Sequence, residues 1–220
     1  MQQTKTAASL LRYAGLLAGL AYLILKNFRN QVPVDAGDGL LHYAIARQSW
    51  NQSFYFLDHW GKPLFTLLSS GFAQAGFKAY VVFNILVFAL TALTAFALFR
   101  RLKVATAYFI LFPLLLICIP DYAYCVLGGM TEPLFGLLLT LAVYTAVCQR
   151  WMLFGLIVSF VPFARSEGML VVVLAFVLLV IVEVSDRLSG KNPSAGALSA
   201  LKPLLMLPVG FVIYGLIGWM

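Results

Sequence analysis

Hydrophobic residues in this chain run in long unbroken stretches rather than in the alternation of a half-buried strand. Residues 9–25, 79–99, 104–120, 131–148, 151–164, 168–184 and 201–219 carry at most one charge each. A bilayer is crossed by roughly 20 apolar residues, so the pattern predicts an all-α polytopic transmembrane protein of about seven spans, the fifth of them short. Segment 63–77 (PLFTLLSSGFAQAGF) is apolar but short and rich in small polar residues. It is expected as a helix lying on the membrane surface or dipping into it. Lys5 and Arg12 stand ahead of an apolar run that ends near Leu25, as in a signal peptide, but no small-x-small cleavage site stands before Lys26. An uncleaved first span is therefore expected. Residues 186–200 read as a loop, and no internal repeat is visible. The whole chain, 1–220, is expected to be one transmembrane domain, with residues 28–78 as an outer loop bearing surface helices. It reaches Met220 inside an apolar segment, as a naturally short protein or a piece of a longer one would.

Composition points the same way. Hydrophobic residues make up 62% of the chain and charged residues 10%, against about 45–50% and about 25% in soluble domains. Lipid must solvate most of that surface. The net charge of +7 does not indicate nucleic acid, because the cations stand singly or in pairs at the ends of apolar runs, as topology signals do. Placing the N-terminus in the cytoplasm puts Arg100, Arg101, Lys103, Arg150, Arg187, Lys191 and Lys202 on the inner side with Lys5 and Arg12. The smaller set Lys26, Arg29, Arg47, Lys62, Lys78 and Arg165 falls outside. Asp35, Asp38, Asp58, Asp121, Glu132 and Glu167 also fall outside, leaving Glu183 and Asp186 inside. Acids count little in topology, so their concentration on one face points to work done there. Cys118, Cys125 and Cys148 show no CxxC spacing and are too few for a disulfide framework.

The outer loop 28–62 holds both histidines of the chain and the aromatics Tyr43, Trp50, Phe54, Tyr55, Phe56 and Trp60. Gly37-Asp38-Gly39 followed by LLHYAIA reads as a turn into a helix with Asp38 as N-cap. Asp38 and His42 are four apart and share a helix face. That suits a carboxylate general base tuned by its partner, and it equally suits a capped amphipathic helix on the membrane. Asp58-His59 precedes Lys62-Pro63. With Asp35, Asp38 and His42 it offers oxygen and nitrogen donors to a divalent metal, without the tight His/Cys spacing of zinc sites. No metal or cofactor is expected. The aromatics form either an interfacial belt or a groove for a lipid carrier or sugar ring. Gly15 and Gly19 form a GxxxG pattern able to pack helices.

Two helix mouths carry further candidates. Thr131-Glu132-Pro133 reads as a capped helix start, with Glu132 also able to face an outer cavity. Arg165-Ser166-Glu167-Gly168 reads as a tight outer turn. Arg165 and Glu167 can form a local ion pair there, and the planar guanidinium of Arg165 also suits a phosphate at the membrane face.

Taken in order, these pieces resemble the GT-C superfamily of membrane glycosyltransferases, nearest to its protein O-mannosyltransferase and lipid A aminoarabinose-transferase group. Asp38-Gly-Leu-Leu-His42-Tyr43 and Asp58-His59-Trp60-Gly61-Lys62-Pro63 are similar to the acidic and Lys-Pro motifs of the family's first outer loop. Thr131-Glu132-Pro133-Leu134 and Arg165-Ser166-Glu167-Gly168 look like its later helix-mouth motifs, and the likeness runs over roughly residues 10–185. Family members often have paired acids, whereas Asp38 is followed by Gly39, and they usually run longer. The resemblance implies transfer of a sugar from a polyprenyl- or dolichyl-phosphate to an acceptor on the extracytoplasmic or lumenal face. It implies Asp38 as general base, Arg165 or Lys62 at the lipid phosphate, and Asp35, His42, Asp58, His59, Glu132 and Glu167 around sugar and acceptor. A bacterial inner membrane is the expected location, with the endoplasmic reticulum membrane as alternative. The rival readings are a transporter or flippase-like protein and a non-catalytic subunit of a membrane complex.

Overall fold

The computed structural model describes residues 13–30, 33–35, 37–105, 107–188 and 197–219. Every regular element among them is helical: α1 (Ala14–Arg29), α2 (Asp38–Gln48), α3 (Pro63–Gln74), α4 (Phe77–Arg101), α5 (Ala107–Cys118), α6 (Pro120–Gly128), α7 (Glu132–Val147), α8 (Trp151–Phe160), α9 (Gly168–Leu188), α10 (Ala197–Met206) and α11 (Val209–Trp219). Short 3-10 turns occupy Ser53–Leu57 and Val161–Phe163. The chain forms two compact units, Met1–Leu137 and Leu138–Met220.

Among the described residues three helical stretches are long and apolar enough to cross a membrane: Phe77–Arg101, Gly168–Ser185 and Lys202–Trp219. A fourth crossing results if α5 and α6, bent by 73° at their junction, count as one. The described residues therefore support three or four spans rather than the expected seven. Apolar stretch 131–148 gives α7, 16 residues long, and stretch 151–164 gives the 10-residue α8 plus a 3-10 turn. The break between α5 and α6 has a local cause. Proline restricts the residue before it to extended backbone, and Ile119, ahead of Pro120, sits at φ −78°, ψ 110°. The segment read as a surface helix is α3, and at 12 residues it extends only about 18 Å. The readings that place Lys5, Arg12, Lys191 and most of the 186–200 loop fall outside the described residues.

In the first unit α4 is the central post, with 56% of its apolar window buried. Its Val81, Ile85, Phe88, Ala92 and Phe96 pack with Leu16 and Leu23 of α1, Phe109 of α5, and Val126 and Leu127 of α6. The GxxxG glycines work inside this bundle. A Cβ on Gly15 would lie 2.0 Å from the Ile110 carbonyl oxygen, so only glycine lets α1 approach α5 so closely. At one end of α4, Phe96 and Phe99 stack with Phe109 at 5.3 and 5.7 Å. At the other, Asn27 Nδ2 donates to the Lys78 carbonyl at 3.0 Å and Lys78 Nζ to the Phe28 carbonyl at 3.1 Å. Near that second end Asn84 Nδ2 donates to the Met130 carbonyl at 2.8 Å. The α5–α6 pair thus climbs α4 from Phe99 towards Tyr80, about 28 Å at 1.5 Å per residue.

The second unit centres on Phe154 and Val158 of α8, packed by Ala142 of α7, Ala175 and Leu179 of α9, and Leu207. Its two long apolar stretches are exposed over most of their length, with 17% and 11% of their windows buried. Apolar surface left open on that scale is the mark of a lipid-facing helix.

Candidate functional site

Helix α2 is fastened by a residue just before it. Asp35 is 8% exposed and its carboxylate folds back onto the start of α2. Oδ1 accepts the Gly37 amide at 3.0 Å, and Oδ2 accepts the Gly39 amide in a short bond. The hydroxyl of Tyr124 on α6 donates to Oδ1 at 2.9 Å. The helix start leaves amide hydrogens without intrahelical partners, and Asp35 takes up that role. The expectation of Asp38 as N-cap is corrected here: Asp38 is the first residue of α2, Gly37 precedes it, and no side chain of the cap residue bonds the helix. The Asp35–Tyr124 bond also ties α2 to α6. That contact is close because two glycines meet. A Cβ on Gly39 would lie 2.0 Å from the Gly128 carbonyl oxygen and 2.8 Å from Asp35 Oδ2.

Electrostatics follow from this geometry. Burial works against the charged form of Asp35. The amides of Gly39 and Gly37, the Tyr124 hydroxyl and the nearby His42 imidazole outweigh it and hold the carboxyl below its ordinary range. His42 is 6% exposed and sets its ring edge-on to Phe65 of α3 at 6.0 Å. Asp38 is exposed. The four-residue spacing of Asp38 and His42 is real, but the acid whose charge the imidazole supports is Asp35.

The second acidic motif makes a turn. Asp58 Oδ1 accepts the Gly61 amide at 2.8 Å, and the Thr66 hydroxyl donates to the Gly61 carbonyl at 2.8 Å. This turn holds Lys62 at φ 59°, a left-handed conformation that costs a residue with a Cβ on the order of 1–3 kcal/mol. Pro63 then opens α3 at its first position, where no amide hydrogen is needed. His59 and Trp60 are exposed. Tyr43 of α2 stacks edge-on against Phe77 and Tyr80, both at 5.4 Å, so part of the loop's aromatic set packs α2 on α4 rather than lining a groove.

Glu132 is half-buried in the first turn of α7, with the Phe135 amide bonding the carbonyl of the buried Thr131 at 3.2 Å. Arg165 and Glu167 belong to the second unit. They form a two-pronged ion pair, Nη2 to Oε1 at 2.8 Å and Nε to Oε2 at 3.2 Å. Among the described residues no three His, Cys, Asp or Glu side chains converge as metal ligands. The first unit therefore brings together Asp35, Asp38, His42 and Tyr124, with Asp58 and Lys62 on the adjoining turn. Tyr124 has no sequence signal: only the return of α6 to the start of α2 reveals it. Comparison with family models, with curated proteins and with solved structures finds no match.

Proposed function

We propose that this chain is a membrane glycosyltransferase of the GT-C kind. It moves a sugar from a polyprenyl- or dolichyl-phosphate to an acceptor hydroxyl at the extracytoplasmic or lumenal membrane face. Support comes chiefly from one observation: Asp38 stands exposed at the first turn of a helix whose start is locked by Asp35. A general base must be held in place and reachable, and Asp38 is both. In this reading Asp38 takes the acceptor proton as the acceptor oxygen bonds to the anomeric carbon and the lipid phosphate departs with the bonding pair. Lys62, in the same unit as Asp38, is the cation for that phosphate. Arg165, the other cation that the resemblance offers, is engaged by Glu167 within the second unit. Asp35 and His42 position the helix, and Asp58 shapes the turn that presents Lys62.

The test is sugar transfer in membranes containing the chain, with radiolabelled polyprenyl-phosphate sugars as a donor panel. Asp38→Asn should lower transfer by about 10²–10⁴-fold at equal expression. Undiminished transfer in that variant would remove Asp38 as the base.

A transporter is the second reading, and the broken α5–α6 pair favours it, since discontinuous helices build transporter sites. Asp121 is exposed beside that break. Ion-coupled solute uptake abolished by Asp121→Asn, with no sugar transfer from any donor, would select it.

A further inference from the structure

A cavity of about 400 Å³ opens where α8 begins, lined by Gln149, Arg150, Trp151, Lys202 and Pro203. Its level in the membrane follows from how the second unit packs. The Gly210 amide donates to Ser159 Oγ at 3.2 Å. A Cβ on Gly155 would lie 2.6 Å from the Pro203 carbonyl oxygen, and Phe163 stacks on Phe211 at 5.2 Å. Positions 155, 159 and 163 thus meet 203, 210 and 211 in order, so α8 runs parallel to α10 and α11. Arg150 immediately precedes α8, and Lys202 is the first residue of the membrane-crossing stretch Lys202–Trp219. Two cations thus line one cavity, one at the start of an apolar helix and the other at the start of an apolar stretch long enough to cross a membrane.

Both cations are exposed, and among the described residues neither has an acidic partner. Trp151 lies beside them, and an indole prefers the headgroup level. The first amides of α8 add the positive end of a helix. This is the chemistry of a phosphate site. Two features assign it to a lipid phosphate rather than a soluble one. It lies where the apolar stretch Lys202–Trp219 begins, and a second cavity of about 470 Å³ lies on the α9 side of α10 and α11, lined by Val172, Phe176, Leu204, Leu207 and Phe211. That apolar groove suits an acyl chain.

We propose that Arg150, Lys202 and Trp151 bind the headgroup of an anionic phospholipid, with its phosphate between the two cations and an acyl chain in the groove beside α9. The assignment goes beyond glycosyl transfer and does not depend on it. The test is native mass spectrometry of the full chain in detergent, titrated with phosphatidylglycerol, phosphatidylcholine or inorganic phosphate. Phosphatidylglycerol should be retained in preference to phosphatidylcholine. Arg150→Gln with Lys202→Gln should weaken its retention about tenfold or more, while the charge-keeping pair Arg150→Lys with Lys202→Arg preserves it. Equal retention by wild type and the double glutamine variant overturns the site, as does equal retention of the two lipids. Displacement of the lipid by millimolar inorganic phosphate makes it a soluble-anion site and overturns the lipid assignment. Dihexanoyl phosphatidylglycerol should bind more weakly than the long-chain lipid, and equal binding removes the groove from the proposal.

Discussion

Asp35 and Asp38 are three residues apart and stand in opposite surroundings. Asp35 is buried and holds two amides and a hydroxyl, so Asp35→Asn should cost about 1–3 kcal/mol by leaving donors poorly satisfied. Asp38→Asn alters an exposed side chain and should leave the melting temperature in detergent close to wild type. The pH dependence has a definite sign. The folded Asp35 carboxyl lies below its ordinary value of 3.8. Its stabilisation is therefore complete above the ordinary carboxylate range and is lost as pH falls through 3.8 and below. Melting measured from pH 6 down to pH 3 should show an acid decline that flattens in Asp35→Asn, and an unchanged decline would show that other carboxylates set it. The sequence makes Asp38 look like the cap because it stands between glycines ahead of an apolar run. Only the folded chain reveals that the carboxylate two residues before Gly37 takes the amides of Gly37 and Gly39 at the start of that helix.

Helix contacts can be probed by paired glycines. Gly15 on α1 lies against the Ile110 carbonyl of α5, whereas a Cβ on Gly71 of α3 meets nothing within 4 Å. Gly15→Ala must push two helices apart and should cost roughly 1–3 kcal/mol. Gly71→Ala relieves backbone entropy in a helix and should gain about 0.5–1 kcal/mol. Denaturation of the two variants side by side in detergent checks both signs, and a loss at Gly71 equal to that at Gly15 would refute the packing argument. Apolar runs reveal helices well in a chain like this, since α4 and α9 fall where their runs lie. They reveal crossings less well. Residues 131–148 and 104–120 are as apolar as the true long helices, yet one makes a 16-residue helix and the other is turned through 73° by the proline after Ile119. Hydrophobicity measures where lipid is tolerated, while length and backbone geometry decide what spans.

At the scale of the molecule, the open issue is whether α5 and α6 make one crossing or dip and return. The packing argues for a crossing. α5 begins beside Phe96 and Phe99, near the Arg100-Arg101 end of α4, and α6 ends where Gly128 meets Gly39 and Asp35 near the opposite end. A dipping pair would bring Gly128 back to the end it left. The prediction is therefore an arrangement of sides. Cys118 is exposed, and Cys125 and Cys148 are partly so, so all three are first replaced by alanine and the variant checked for folding. Single cysteines are then placed at His59 between α2 and α3, Lys103 after α4 and Met130 after α6. A membrane-impermeant thiol reagent applied to one face of sealed vesicles should modify the His59 and Met130 positions together, and the Lys103 position only from the other face. Modification of Met130 with Lys103 instead would make α5 and α6 a re-entrant loop and would detach Tyr124 from Asp35. Loss of that contact would take with it the lock that holds Asp38 in reach of a substrate, so the same labelling tests the scaffold on which the proposed chemistry depends.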